Sequence, residues 1–446
     1  MSEGSTPTEN SDSILTRCTG KLYRHIKDPL YRNSLFLITN TVIITVLGLF
    51  FWIIVARLYT KTDVGSANAI ISAINLIGML SLLGLDATLV RFLPTTQKPA
   101  VMINSFLTIT GIISLAISVI FMLGIPIWSR IHIWSPELSF IHDNPTFAIS
   151  FVLFTLFLTL SPMIEAIFIA KRKAHFVLIK NSIASSVKIP LPFILFLFFR
   201  SFGIVGSVGL SIGIAAAFSI FFLLPRAENG YKAVPTINFE IIKWRWRYSI
   251  GSYFISIIST LPILILSSIL IVNRKGGGTT ANADFSMAWM LSSLLFAIPA
   301  AVSQSLFAEG SHFEDKLDAN VSRSYKFVFL LLIPAIILFV FTGKWLLLAF
   351  GRSYSDNGTT LLQVLSLSAI FVGVNSVYYT ILRVKSRIAE LIALYGFSTF
   401  AILTGSYIII PTTGIIGVGY VWLSVQGIVS IYVIARLITR YKQHTK

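Results

Sequence analysis

The sequence predicts an all-α polytopic membrane protein. Twelve transmembrane helices form two six-helix lobes, related by a pseudo-two-fold axis along the membrane normal. Three observations carry that expectation: long apolar runs almost free of charge, basic residues gathered in alternate loops, and an echo between the two halves. Of the 446 residues, 55% are hydrophobic and 12% charged. Soluble domains carry about 25% charged residues, so the apolar surface here is suited to lipid. In lipid every backbone hydrogen bond must close inside a helix or a barrel, and these runs have helical length.

The first run, 33–56, is followed by the polar turn 59–63 and a second run, 64–90, whose one charge is Asp86. At about 1.5 Å per residue each outreaches the roughly 30 Å hydrocarbon core. Arg57 and Arg91 close the two helices of this hairpin. Further runs cover 101–128, 147–170, 176–199 and 203–224. After a basic loop come 248–272, 281–307, 321–341, 359–382, 388–410 and 414–434. The eighth is the most polar, with Asp284, Pro299 and Gln304.

Alternate loops differ sharply in charge. One side holds Arg17 to Arg32, Arg91, Lys98, the 171–173 loop with Lys180, Arg226 to Arg247, Lys316, Arg323, Lys326, Arg383 to Arg387 and Arg436 to Lys446. The other side holds Arg57, Lys61, Arg130, Arg200, Arg274, Lys275, Lys344 and Arg352. Lys188 lies inside a span. The positive-inside rule then places both termini in the cytoplasm of a cell-membrane protein. It also accounts for much of the net charge of +17 without a nucleic-acid partner.

The halves echo each other. The sixth span opens Gly203-Ile204-Val205-Gly206 and the twelfth Gly414-Ile415-Ile416-Gly417. At nearly the same offset, Lys171-Arg172-Lys173 matches Arg383-Val384-Lys385. Six spans per half keep the repeats in one orientation. The domains expected are a cytoplasmic basic tail (1–32), an N-lobe (33–224), a cytoplasmic inter-lobe loop (225–247), a C-lobe (248–436) and a cytoplasmic tail (437–446). The tail is no signal peptide. Its stretch 14–31 reads as an in-plane basic helix or as a solvated carrier of orientation charge. The single cysteine, Cys18, permits no intrachain disulfide.

The opening hairpin carries specific pieces: Ala56-Arg57-Leu58-Tyr59, then Asp63-Val64-Gly65, then a helix ending Gly84-Leu85-Asp86-Ala87-Thr88-Leu89-Val90-Arg91-Phe92-Leu93-Pro94. With the glycine openings at Gly203 and Gly414 and the matched basic turns, the chain resembles the polysaccharide biosynthesis flippases of the multidrug/oligosaccharidyl-lipid/polysaccharide exporter superfamily. The resemblance covers nearly everything beyond the tail. It implies two lobes facing a central cavity and rocking between inward- and outward-open states. It also implies a lipid-linked oligosaccharide as substrate, membrane lipids as surroundings, and glycosyltransferases or a polymerase of the same pathway as partners. The function expected is transport, not enzymatic turnover. The alternative is a cation-coupled multidrug exporter of the same superfamily, disfavoured because cations outnumber acids within the spans.

A lipid pyrophosphate substrate asks for cations and amides in the cavity. Lys188 is the foremost candidate, since a cation inside a span is costly and usually faces a cavity or a partner. Its alternatives are a carboxylate partner or snorkelling. Arg91, Arg57, Arg32 and Arg383 stand at helix ends, where they could meet a phosphate or serve as interfacial anchors. Asn40, Asn75, Gln304 and Asn375 could meet sugar hydroxyls or bridge helices. Glu165, Asp86 and Asp284 are the carboxylates open to a coupling proton or sodium, Glu165 first; it could instead pair with Lys188. In the loop 129–146, His132, Glu137, His142 and Asp143 fit no standard metal-ligand spacing. No Walker motif is present, and Gly276-Gly277-Gly278 joins no strand to a helix. No cofactor is expected. Asn357-Gly358-Thr359 forms a glycosylation sequon on the far side.

Overall fold

The computed structural model of the chain describes residues 29–131, 134, 138–239, 246–273, 275–312, 317–385 and 387–444, a few side chains within them excepted. Cys18, His132, Glu137 and most of the basic tail lie outside the described residues. Among the described residues, ten helices are long and apolar enough to cross a membrane. One of these, Ile388–Thr439, is two spans end to end, and the chain 246–273 supplies another. Twelve spans result.

The helices are α1 (Pro29–Leu58), α2 (Lys61–Leu82), α3 (Pro99–Arg130) and α4 (Pro145–Ala170). They continue as α5 (Ala174–Phe196) and α6 (Ser201–Ala227). α7 covers 246–273, with a widened turn at Leu266–Leu270. Then follow α8 (Thr279–His312), α9 (Leu317–Leu348) and α10 (Arg352–Val384). α11 (388–413) and α12 (415–444) part at Gly414, whose φ of +61° suits a residue without a Cβ. Thr60 caps α2 by accepting from the Asp63 N–H at 3.2 Å, and Asn144 caps α4 by accepting from the Thr146 N–H at 2.9 Å.

Three features refine the helices read from the sequence. The second span does not run unbroken from 64 to 90. It stops at Leu82, turns through left-handed backbone at Leu83 and Gly84, and resumes as a short helix, Leu85–Phe92. Glycine allows the turn, and Asp86 at the new start accepts from the Ala87 N–H. The fifth span breaks after Lys188, where Pro190 and Pro192 follow. The segment after α6 is no free loop. Its extended stretch lies on α3: Asn104 donates to the Lys232 carbonyl at 2.8 Å, while Ser105 and Thr108 accept from the Asn238 and Thr236 N–H groups. Those three side chains satisfy backbone groups that would otherwise be orphaned.

The repeat is structural. α1 packs on α5 as α7 packs on α11, and α3 on α4 as α9 packs on α10. On α6, a Cβ at Gly209 would stand 2.2 Å from the Phe154 ring of α4. On α12, a Cβ at Gly419 would stand 2.7 Å from Leu361 of α10. Both halves use a missing side chain to bring the same pair of helices together.

We call the end of the bundle bearing the 171–173 and 383–385 turns the basic end, and the opposite one the far end. Near the far end the two lobes share one apolar core, in which Phe51, Ile70, Ile74 and Phe151 join Phe285, Leu291, Leu361 and Val418. Toward the basic end the core divides. Leu89, Phe106, Ile167 and Leu223 belong to the first lobe alone. Leu306, Val328, Val377 and Val433 belong to the second. The lobes share one core at the far end and have separate cores toward the basic end.

Candidate functional site at the parting of the lobes

The fused end is held by α2. A Cβ on Gly65 would lie 1.5 Å from the Thr279 carbonyl oxygen, so α2 and α8 touch backbone to backbone. Asn282 donates to the Gly65 carbonyl at 3.0 Å. Asn68 donates to Ser267 at 3.0 Å and also to Ser286. Lys61 pairs with Asp284 at 2.5 Å and donates to the Ser353 carbonyl at 2.9 Å. Arg57 donates to the carbonyls of Ala349 and Leu348 at 3.0 and 2.7 Å. These polar contacts run between the halves of the chain. Each is a bond that moving the lobes apart must break. At the basic end the lobes touch through Tyr253, whose hydroxyl donates to the Leu80 carbonyl at 2.8 Å.

Tyr59 stiffens the far end within the first lobe. Its hydroxyl donates to the Pro192 carbonyl at 2.9 Å, and Phe196 meets its ring edge-on. Burial, helped by Asp63, pushes its phenol up to about 12, so it remains a donor across the physiological range.

Lys188 closes the first stretch of α5, half-buried, with its ammonium 4.7 Å above the ring of Phe51. Phe51 is fully buried in the shared core. Seven residues separate it from the end of α1, so the ammonium lies on the order of 10 Å inside the far end. That is the region where the core closes over. A cation over an aromatic face gains about 0.5–2 kcal/mol, which does not cancel its charge. No carboxylate stands beside Lys188 among the described residues. Asn75 is exposed in the middle of α2, a helix otherwise largely buried against its neighbours in both lobes.

Glu165 does not pair with Lys188. Its partner is Lys180, at 2.6 Å, whose ammonium also donates to the Ser161 hydroxyl at 2.5 Å and to the Ser161 carbonyl at 3.2 Å. The side chain of Lys180 is 1% exposed, so a residue read as an orientation charge is an interior cation. The physical reason is helical phase: Lys180 is on the α4 face of α5, and Glu165 is on the facing side of α4. Asp284 meets Lys61 and Asn357 near the far end. Asp86 serves the start of the short helix.

The amides divide. Asn40 is buried and accepts from Asn181 at 3.1 Å. Asn375 donates to the Gln426 side chain and carbonyl at 2.8 and 3.1 Å and accepts from Ser430 at 3.0 Å. Both bridge helices; Asn75 alone of the three is exposed. Arg91 is exposed at the end of its short helix, with its guanidinium 5.5 Å from the Phe92 ring. Arg383 is exposed at the basic end beside Tyr395. The side chains of Arg32 and Gln304 lie outside the described residues. Asn357 sits within α10, not on a loop, so its sequon is held in helical backbone. His142 lies 3.2 Å from Asp143 on the far-end loop.

Sequence reasoning missed Lys61, Lys180, Asn68 and Asn282. Asn68 and Asn282 are polar residues inside or at the edge of apolar runs, and that was a usable signal. The Lys61–Asp284 pairing carried none, since its partners are 223 positions apart.

No curated protein sequence matches the chain. Among solved structures it is similar to the lipid II flippase MurJ in an inward-closed conformation, with a TM-score of 0.76, 13% identity, and coverage of 91% of this chain and 87% of that one. It is similar to an inward-facing multidrug resistance MATE family transporter of the MOP superfamily, with a TM-score of 0.69, 16% identity, and coverage of 90% and 96%. A MOP superfamily transporter from Pyrococcus furiosus gives a TM-score of 0.64, 15% identity, and coverage of 94% and 96%. At these identities the likeness is one of fold. The family described as "Polysaccharide biosynthesis protein" matches residues 30–309, well over half of the sequence, and the chain belongs to that family.

Proposed function

We propose that this multi-pass membrane protein is a flippase that moves a lipid-linked oligosaccharide across the cell membrane by alternating access, and that it catalyses no covalent chemistry. The observation that carries the reading is the charge balance inside the lobes. Glu165 and Asp284 each have a cation partner, while Lys188 has no carboxylate beside it among the described residues. An interior with a spare cation suits an anionic headgroup, and a cation-coupled drug exporter would need the opposite sign. The MurJ likeness and the family support the substrate class; the MATE likeness fits the fold of either reading.

In this reading the basic end faces the cytoplasm, because Lys and Arg are retained there. The lobes are 33–224 and 248–436, with 225–247 between them and 1–32 and 437–446 as cytoplasmic tails. The headgroup enters where the cores part and rises toward Lys188. Asn75 meets its sugars, and Arg91, Arg32 and Arg383 draw its phosphates to the mouth. Arg57, Lys61 and Asp284 latch the far end until the lobes rock. Asn40 and Asn375 hold helices in register around the path. Glu165, ion-paired with Lys180 in this state, is the carboxylate we propose to respond to an ion gradient. Asp86 and Asp284 act through structure. Glycosyltransferases or a polymerase of the same pathway supply and take up the glycolipid.

The test is a proteoliposome assay with a labelled prenyl-diphosphate oligosaccharide, followed from each side with and without a pH or sodium gradient. Protein-dependent crossing that falls at least tenfold in Lys188→Ala, with the variant folded, is the expected outcome. Normal crossing by that variant would remove Lys188 from the mechanism. Export of cationic drugs without glycolipid crossing would sink the flippase reading.

A further inference from the structure

A cavity of about 590 Å³ lies between α8 and α9 in the basic-end half. Its walls are apolar along most of their length, with Ala297 and Ala301 on α8 and Phe327 and Leu331 on α9. Its polar side is at the start of α9, where Asn320 and Arg323 line it. Arg323 is exposed, as is Lys326 one turn on. α9 packs on α8 and α10 and turns Phe327, Leu330 and Leu331 outward, so the cavity opens toward lipid.

The geometry points to a binding site for an anionic phospholipid of the leaflet at the basic end, its phosphate at Arg323 and one acyl chain between α8 and α9. Two observations select that occupant. The charge is complementary: a guanidinium with an amide beside it, at the depth of the headgroups, matches a phosphodiester. The length also matches. Eight residues from Arg323 to Leu331 span about 12 Å, close to the roughly 15 Å of hydrocarbon in one leaflet. Small residues at Ala297 and Ala301 leave room for the chain on either side of Pro299, which interrupts α8.

The test uses the full chain in detergent, titrated with phosphatidylglycerol or phosphatidylcholine and read by native mass spectrometry. Phosphatidylglycerol is expected to be retained about fivefold more strongly than phosphatidylcholine, the preference one interfacial basic residue confers. Arg323→Gln, an exposed position, should erase that preference with both lipids still bound. Ala301→Phe should fill the cavity and weaken both. Arg387→Gln, exposed at the same end, should change neither. If Arg323→Gln keeps the wild-type preference, the site is elsewhere and the proposal fails, whether or not Ala301→Phe folds. If a prenyl phosphate displaces phosphatidylglycerol from the wild type but not from Ala301→Phe, the cavity belongs to a prenyl chain and the assigned occupant is wrong.

Discussion

α5 and α11 occupy equivalent places in the two lobes, each packed on the first helix of its own half, yet their interiors differ in charge. In the register that matches Gly203 with Gly414, Lys180 falls opposite Leu391 and Lys188 opposite Thr399. Leu391 is fully buried among apolar side chains, and Thr399 donates to the Ile258 carbonyl at 2.6 Å. The first lobe places two cations where the second has an aliphatic side chain and a satisfied hydroxyl. The second lobe's polar groups form neutral bridges instead, such as Asn375 with Gln426 and Ser430. At its basic end, Glu390 accepts from Tyr378 and Tyr432 at 2.7 and 3.1 Å. The repeat therefore conveys backbone packing and not electrostatics. Interior cations need either a partner, as Lys180 has, or a use, as we propose for Lys188.

That contrast can be broken most severely by copying the charge across. Leu391→Lys puts an ammonium into a fully buried position of the apolar core, and loss of folded protein is expected on gel filtration of detergent extracts. Next in size is Lys180→Met. Breaking a fully buried pair costs about 3–5 kcal/mol; Glu165 is 31% exposed and keeps some solvent, so a smaller but clear fall in thermal midpoint is expected. Lys180→Met with Glu165→Gln should recover most of that loss; a double variant no better than the single would show that the pair is not coupled. Asn375→Ala in the second lobe removes neutral bonds only, so the expected loss is about 0.6–1.7 kcal/mol. Smallest in stability is Lys188→Thr, which imports the second lobe's residue. Its thermal midpoint should hold or rise, since an uncompensated charge is removed, while glycolipid transport falls. A marked drop in the midpoint would mean that Lys188 is structural.

Much of the fold was legible in the sequence because lipid imposes simple demands. Span length, loop charge and the glycine echo follow from hydrocarbon thickness, orientation and close helix contact. The polar interior was legible only as a set of residues, because apolar spans have weak amphipathic phase and do not say which neighbour a side chain faces. Glu165 was visible as a carboxylate within a span, but that it meets Lys180 and not Lys188 depended on the rotation of α5 against α4. Asn40, Asn75 and Asn375 looked alike in sequence; burial separates the bridging pair from the exposed one.

By itself the sequence determined a twelve-span, twofold-repeated membrane protein with one strongly basic end, for these are properties of single helices and single loops. The tertiary structure decided which lobe keeps an interior cation with no carboxylate beside it among the described residues, how α2 welds the halves at the far end, and where the core divides. Those depend on contacts between residues hundreds of positions apart, such as Lys61 with Asp284, and no local pattern in the chain encodes them.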